Sequence, residues 1–273
     1  MDVAKQKVHE FWDKASCGEQ LYLSGSEKAS YIEQGRIRYE LEPYIMEFAG
    51  FKTARDLDIL EIGVGLGADH QRFAEARSRL HGIDLTQRAI DYTKKRLELF
   101  DLRSDLQIGD AENLAFGDRE FDIVYSWGVL HHSPNTQKAI QEVHRVLRSG
   151  GVAKIMIYHK WSFVGLMLWL RYALLRLRPF TSLSDIYARH LESPGTKAYS
   201  VEEARRLFQH FRSVDIRTVL THGDLLSSQA GQRHNGLLLE VARKVWPRWL
   251  IKRLFPRNGL FMLITATKYP FIF

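Results

Sequence analysis

Between Leu57 and Tyr158 the hydrophobic pattern switches period repeatedly, and that alternation restricts the fold more than any other feature of the chain. LDILEI (57–62) is a short apolar run closed by the glycines of GVGLG. A helical stretch at 68–77 follows, then the strand-like RLHGIDL (79–85). Thr86 suits the N-cap of a helix that puts Ile90, Thr93 and Leu97 on one stripe. Further strands are predicted at DLQIG (105–109), FDIVYSW (121–127) and VAKIMIY (152–158). Between the last two, Ile140, Val143, Val146 and Leu147 mark a helix expected to stop at Gly150-Gly151. Apolar strands alternating with helices predict a parallel, doubly wound sheet.

The flanks carry weaker signals. KASYIEQGRIRYELEPYIMEFAGF (28–51) has helical spacing and reads as a helix pair lying across the sheet. YSVEEARRLFQHF (199–211) is a helix with Ser200 and Glu203 in capping-box register. SVDIRTVL (213–220) and GLFMLITATK (259–268) are strand candidates. A single cysteine, Cys17, excludes an intramolecular disulfide and any multi-thiolate metal centre, and no metal site is expected. The opening residues MDVAKQKVHEFWDK have no apolar core of a leader, so a cytoplasmic protein is expected.

Three chemical features fall at the ends of three successive strands. Gly63-x-Gly65-x-Gly67 lets backbone approach a ligand closely, and the helix that follows offers free N–H groups. Asp84, ending the second strand, can accept both hydroxyls of a ribose. Gly109-Asp110-Ala111-Glu112, after the third, is an acidic turn suited to the amine and ring edge of an adenine. Each has a plainer reading: the loop also satisfies the dinucleotide form G-x-G-x-x-A, Asp84 can be a surface turn residue, and Asp110 can cap a helix. Their coincidence favours one nucleoside site.

LEIGVGLGADH, HGIDLT, GDAENLAF, FDIVYSWGVLHHSP and VLRSGGVAKIMIY together resemble the class I S-adenosylmethionine-dependent methyltransferases. Within them the chain is most similar to the methyltransferase type 11 group, which includes the quinone-biosynthesis C-methyltransferases. The resemblance implies an α/β, Rossmann-like doubly wound sheet, mostly parallel with an antiparallel last strand and helices on both faces. It implies S-adenosyl-L-methionine as cofactor, bound by Glu61, Gly63, Gly65, Gly67, Asp84, Leu85, Asp110, Ala111, Glu112, Ser126 and Trp127. It implies a helical lid at 1–50, with FWDKASCGEQLY folding over the cofactor, before a methyltransferase domain at 51–273. A dehydrogenase would share the loop and Asp84 but gives no reason for GDAENLAF or GVLHHSP. A cofactor-binding, non-catalytic assembly partner is the other alternative.

Methyl transfer from a sulfonium needs in-line placement of the acceptor and exclusion of water, with a base only for a weakly acidic acceptor. His131, His132, His159 and Tyr22 are the candidates for that role. The bland readings are a helix start for His131 and His132, and simple surface placement for His159.

Charge divides the chain unevenly. Its net charge of +7 splits at Lys160: residues 1–159 hold 21 Lys+Arg against 25 Asp+Glu, and residues 160–257 hold 17 against 7. The excess lies mostly in two insertions, 159–199 and 221–258, which are long for loops inside a compact domain. Trp161, Trp169, Trp246 and Trp249 are interleaved there with arginines and lysines. Segments 161–180 and 241–257 therefore predict either a cap over an apolar acceptor's pocket or a peripheral contact with an anionic membrane, such as the inner membrane face. The uncharged run Trp161–Leu170 is half of what a membrane span needs. Nucleic acid, supported only by basicity, is not the expected partner.

Overall fold

The computed structural model describes residues 2–228 and 243–270. A seven-stranded sheet has the order β3-β2-β1-β4-β5-β7-β6. Its strands are β1 (Asp58–Ile62), β2 (Arg79–Asp84), β3 (Asp105–Ile108), β4 (Phe121–Trp127), β5 (Leu147–Tyr158), β6 (Ser213–Val219) and β7 (Phe261–Thr267). The first five run parallel, and β7 lies antiparallel between β5 and β6. The strand order reverses between β1 and β4, so the connections leaving their carboxyl ends diverge and leave the crevice in which open α/β sheets bind ligands.

Eleven further elements are used below: α1 (Val3–Lys14), α2 (Glu19–Tyr22), α3 (Lys28–Leu41), α4 (Tyr44–Ala49), α5 (Ala68–Glu75), α6 (Gln87–Leu99), α7 (Thr136–Val146), α8 (Phe163–Tyr172), α9 (Leu183–His190), α10 (Val201–Leu207) and α11 (His222–Leu225). Both faces of the sheet are covered. Ile140, Val143 and Val146 of α7 and Ala204 of α10 pack against Leu60, Val124 and Ile155 on one face. Ile45, Phe48 and Ala49 of α4 and Phe73 of α5 pack against Ile59, Tyr125 and Met156 on the other. Each of the valine, leucine, isoleucine, methionine and phenylalanine side chains among them contributes about 1.5–3 kcal/mol by leaving water. Only α4 of the expected helix pair lies on the sheet; α3 lies over α5 and α6.

Two expected boundaries move. Helix α7 stops at Val146 instead of at Gly150-Gly151, because Leu147 already pairs with Phe121 in β5. The glycines instead form a bulge: the register passes from Phe121↔Leu147 directly to Ile123↔Val152. Helix α10 keeps its capping box but ends at Leu207, and Phe208 and Phe211 turn into the core. The insertion at 159–199 is structured, with α8 and α9 packed together, whereas residues 229–242 of the second insertion lie outside the described residues. Among the described residues no helix is long and apolar enough to cross a membrane.

Candidate active site

The glycine loop leaves the carboxyl end of β1 in a left-handed backbone, with φ of +85° at Gly63, +53° at Gly65 and +74° at Gly67. A methyl group on Gly63 would lie 2.1 Å from Val129 Cγ2. At Gly65 a methyl group would meet nothing within 4 Å. Packing thus demands glycine at 63, while at 65 bare backbone faces open space where a ligand can lie against it.

That space belongs to a cavity of about 630 Å³. The wall expected to take the nucleoside is built by Glu61 and the three glycines, by Asp84 at the end of β2 and Leu85 after it, and by Asp110 and Ala111 after β3. Trp127 at the end of β4, Tyr22 of α2 and His132 also face it. Asp84 is held in place by hydrogen bonds from Gly65 N (3.2 Å), Thr86 N and Thr86 Oγ1 (both 3.0 Å). Burial nonetheless raises its pKa above the ordinary aspartate value.

Four expected site residues do not line the cavity. Glu112 receives Lys5 Nζ (2.9 Å), Asn135 N (2.7 Å) and the Ser133 hydroxyl, and so anchors the loop before α7. Ser126 Oγ donates to Ile62 O at 2.9 Å, tying β4 to β1. His159 Nδ1 donates to Gly259 O at 3.1 Å, closing β5 against the segment entering β7. His131 packs behind the wall, its ring 3.9 Å from that of Tyr158 between centroids. Burial holds its pKa well below the usual histidine value, so the ring is neutral. Neither His131 nor His132 starts a helix, since α7 begins at Thr136 behind Asn135 as N-cap.

Burial favours the neutral, protonated form of Glu61. Ser104 Oγ donates to Leu80 O at 2.8 Å, so it accepts from His70 Nε2 at 2.7 Å. On a neutral His70 ring Nδ1 is then an acceptor, to which a protonated Glu61 Oε2, 2.8 Å away, donates. The electrostatics agree: burial raises Glu61 well above the usual carboxylate range and lowers His70 to about 3. Asp69 beside it stays charged. Burial opposes that charge, but the Arg38 guanidinium (2.6 and 3.0 Å) and the hydroxyls of Tyr125 (2.8 Å) and Tyr39 (3.0 Å) hold its pKa below the ordinary value.

The wall expected to face the acceptor holds groups that sequence reasoning passed over. Glu42, just beyond α3, faces the cavity with its pKa pushed up to about 7 by burial, partly opposed by the Arg38 charge. Glu192, from the first insertion, accepts from Tyr158 Oη at 2.7 Å and lies 3.2 Å from His132 Nε2. Arg38 and Glu42 occupy i,i+4 positions that read as an exposed helix pair; only tertiary packing buries them. Cys17, exposed to solvent, also lines the cavity, where desolvation and the nearby Glu192 and Glu42 charges push its pKa up to about 12. The apolar remainder comes from the insertions: Val164, Met167 and Leu168 of α8, Leu226 after α11, and Trp246.

Comparison with known proteins bears on the nucleoside wall. A family model described as a methyltransferase domain matches residues 60–155. Phosphoethanolamine N-methyltransferase 2 of Caenorhabditis elegans is 35% identical over 118 residues, covering 42% of this chain and 26% of that protein. A phthiotriol/phenolphthiotriol dimycocerosates methyltransferase of Mycobacterium tuberculosis is 38% identical over 107 residues, covering 37% of this chain and 39% of that protein. The chain thus spans well under half the length of these curated relatives. The solved structure of Haemonchus contortus phosphoethanolamine N-methyltransferase 2, in complex with phosphomonomethylethanolamine and S-adenosylhomocysteine, shares the fold. It has a TM-score of 0.60 at 15% identity, covering 97% of this chain and 60% of that one. The matched segment contains the glycine loop, Asp84 and Asp110, whereas Tyr22, Glu42, Met167, Glu192 and Trp246 lie outside it.

Proposed function

We propose that the protein is an S-adenosylmethionine-dependent methyltransferase acting on a small, apolar or lipid-like acceptor. One observation carries the reading. The glycine loop, Asp84 and the Asp110-Ala111 turn share a single cavity with an apolar wall drawn from the insertions. The nucleoside wall fits the cofactor: open space over Gly65 admits it against bare backbone, and Asp84 is oriented to accept ribose hydroxyls. S-adenosylmethionine, when bound, supplies an electrophilic methyl group. Trp127 and the lid residues Trp12 and Tyr22 enclose that end and keep water out. Glu42 is the group placed to take a proton from a protic acceptor, because its pKa lies near neutrality.

The division into a lid at 1–50 and a domain at 51–273 with two capping insertions belongs to the same proposal. Contact with an anionic membrane is its outer extension. Leu175 (68% exposed), Leu177 (90%), Phe180 (100%) and Trp249 (70%) stand among Arg171, Arg176, Arg178, Lys252 and Arg253. Leu170, Arg171 and Leu175 also line the cavity, so this surface continues into the acceptor wall.

The test is incubation with methyl-labelled S-adenosylmethionine and a total lipid extract. Label passing into the organic phase is expected. If an aqueous metabolite extract is labelled instead, the apolar acceptor is wrong; if neither is, the activity is wrong.

A further inference from the structure

His131, His132 and Glu192 converge at the acceptor end of the cavity. His131 is fully buried, and among the described residues neither of its ring nitrogens has a hydrogen-bond partner. Its neutral ring carries one N–H and one lone pair, so both a donor and an acceptor are withdrawn from water unsatisfied. Each costs about 1–3 kcal/mol, and such orphans in protein interiors point to a bound water or ion. The ring of His132 sits 4.2 Å from that of His131 between centroids.

His132 is oriented as metal-ligating histidines are. Its Nδ1 is held by Ser193 Oγ (2.8 Å) and Thr196 Oγ1 (3.1 Å), which fixes the ring and turns Nε2 toward Glu192 Oε2 at 3.2 Å. One ligand atom from each of His131, His132 and Glu192 lies within 4.8 Å of the others. His132 and Glu192 line the cavity while His131 lies behind it.

We propose that His131, His132 and Glu192 bind one divalent transition-metal ion whose remaining coordination positions open toward the acceptor. Two imidazoles and a carboxylate suit zinc, cobalt, manganese or ferrous iron, and not magnesium or calcium, which prefer all-oxygen sets. Bonds of about 2.0–2.1 Å in a tetrahedron hold ligand atoms about 3.4 Å apart. His132 Nε2 and Glu192 Oε2, 3.2 Å apart, already meet that spacing, and Glu192, 30% exposed and part of an insertion, can adjust toward the third ligand. An ion there would hold and polarise an acceptor oxygen beside the proposed methyl donor. The expectation of no metal rested on the cysteine count, which does not bear on a histidine–carboxylate site. The assignment rests on these residues and stands apart from the cofactor reading, although the role of the ion depends on it.

The experiment uses untagged, chelator-treated protein dialysed against cobalt(II), then zinc(II), with metal content and the cobalt absorption spectrum as readouts. One equivalent of cobalt per chain is expected, with the visible bands of a low-symmetry nitrogen/oxygen site, displaced by zinc. His131→Ala should abolish retention and Glu192→Gln should weaken it at least tenfold. If His131→Ala does not fold, the partly exposed Glu192→Gln decides alone. No stoichiometric retention, or retention unchanged in Glu192→Gln, overturns the site. S-adenosylhomocysteine binding, measured on the same metal-free samples, separates failure of the metal site from failure of the cofactor reading.

Discussion

Individual protonation states give the sharpest tests of the site. If Glu61 donates to His70 as a neutral acid, Glu61→Gln replaces one donor by another, and chemical unfolding should show a loss below about 1 kcal/mol. Glu61→Ala orphans the His70 acceptor and opens a cavity, costing about 2–4 kcal/mol. Equal losses would mean that Glu61 is ionised. Glu42 behaves differently with pH. Its folded pKa, about 7, is raised above the ordinary glutamate value, so it contributes nothing at pH 4 and costs stability as the pH rises through 7. Glu42→Gln should therefore gain on the wild type between pH 4 and pH 8, by up to about 3 kcal/mol, in unfolding curves recorded across that range. A constant difference would refute the raised pKa. Asp84 was legible in the sequence because a strand end and a fixed offset from the glycine loop announce it. Glu42 and Glu192 were not, because burial beside Trp127 and Tyr158 is a tertiary fact with no local spacing.

Elements carry the lid. Helix α1 is latched to the third βα turn by Lys5, whose Nζ lies 2.6 Å from Asp110 and 2.9 Å from Glu112. Helix α2 is latched to α6 by Glu19, which pairs with Arg88 and accepts from Tyr92 Oη at 2.8 Å. These are partly buried contacts joining the proposed lid to the proposed nucleoside wall. Lys5→Met should raise amide exchange across residues 3–22 and speed dissociation of the cofactor product several-fold, with little change in global stability. Unchanged exchange there would show that packing alone holds the lid. Strand positions were readable because period-2 and continuous apolar runs survive into the sheet. The α7–β5 boundary was not, since Gly150-Gly151 serves a bulge and not a helix stop.

At the scale of the whole molecule, charge and apolar exposure separate along the chain: the cofactor half is mildly acidic, and the insertions are basic with exposed aromatic and aliphatic side chains. Co-sedimentation with vesicles should show binding to anionic but not neutral lipid, weakening as salt rises. Loss of binding in an Arg176→Glu/Arg178→Glu double variant is expected, and equal binding to neutral vesicles would contradict the electrostatic part. The alternation of strands and helices made the sheet legible from sequence, but the convergence of lid, loop and insertions on one cavity required three dimensions. The central claim is that this cavity holds S-adenosylmethionine through Asp84. Calorimetric titration with S-adenosylhomocysteine tests it most directly. Saturable one-to-one binding is predicted, weakened about a hundredfold in a folded Asp84→Ala variant. Absence of binding to the wild type, or equal affinity in the variant, would contradict the account.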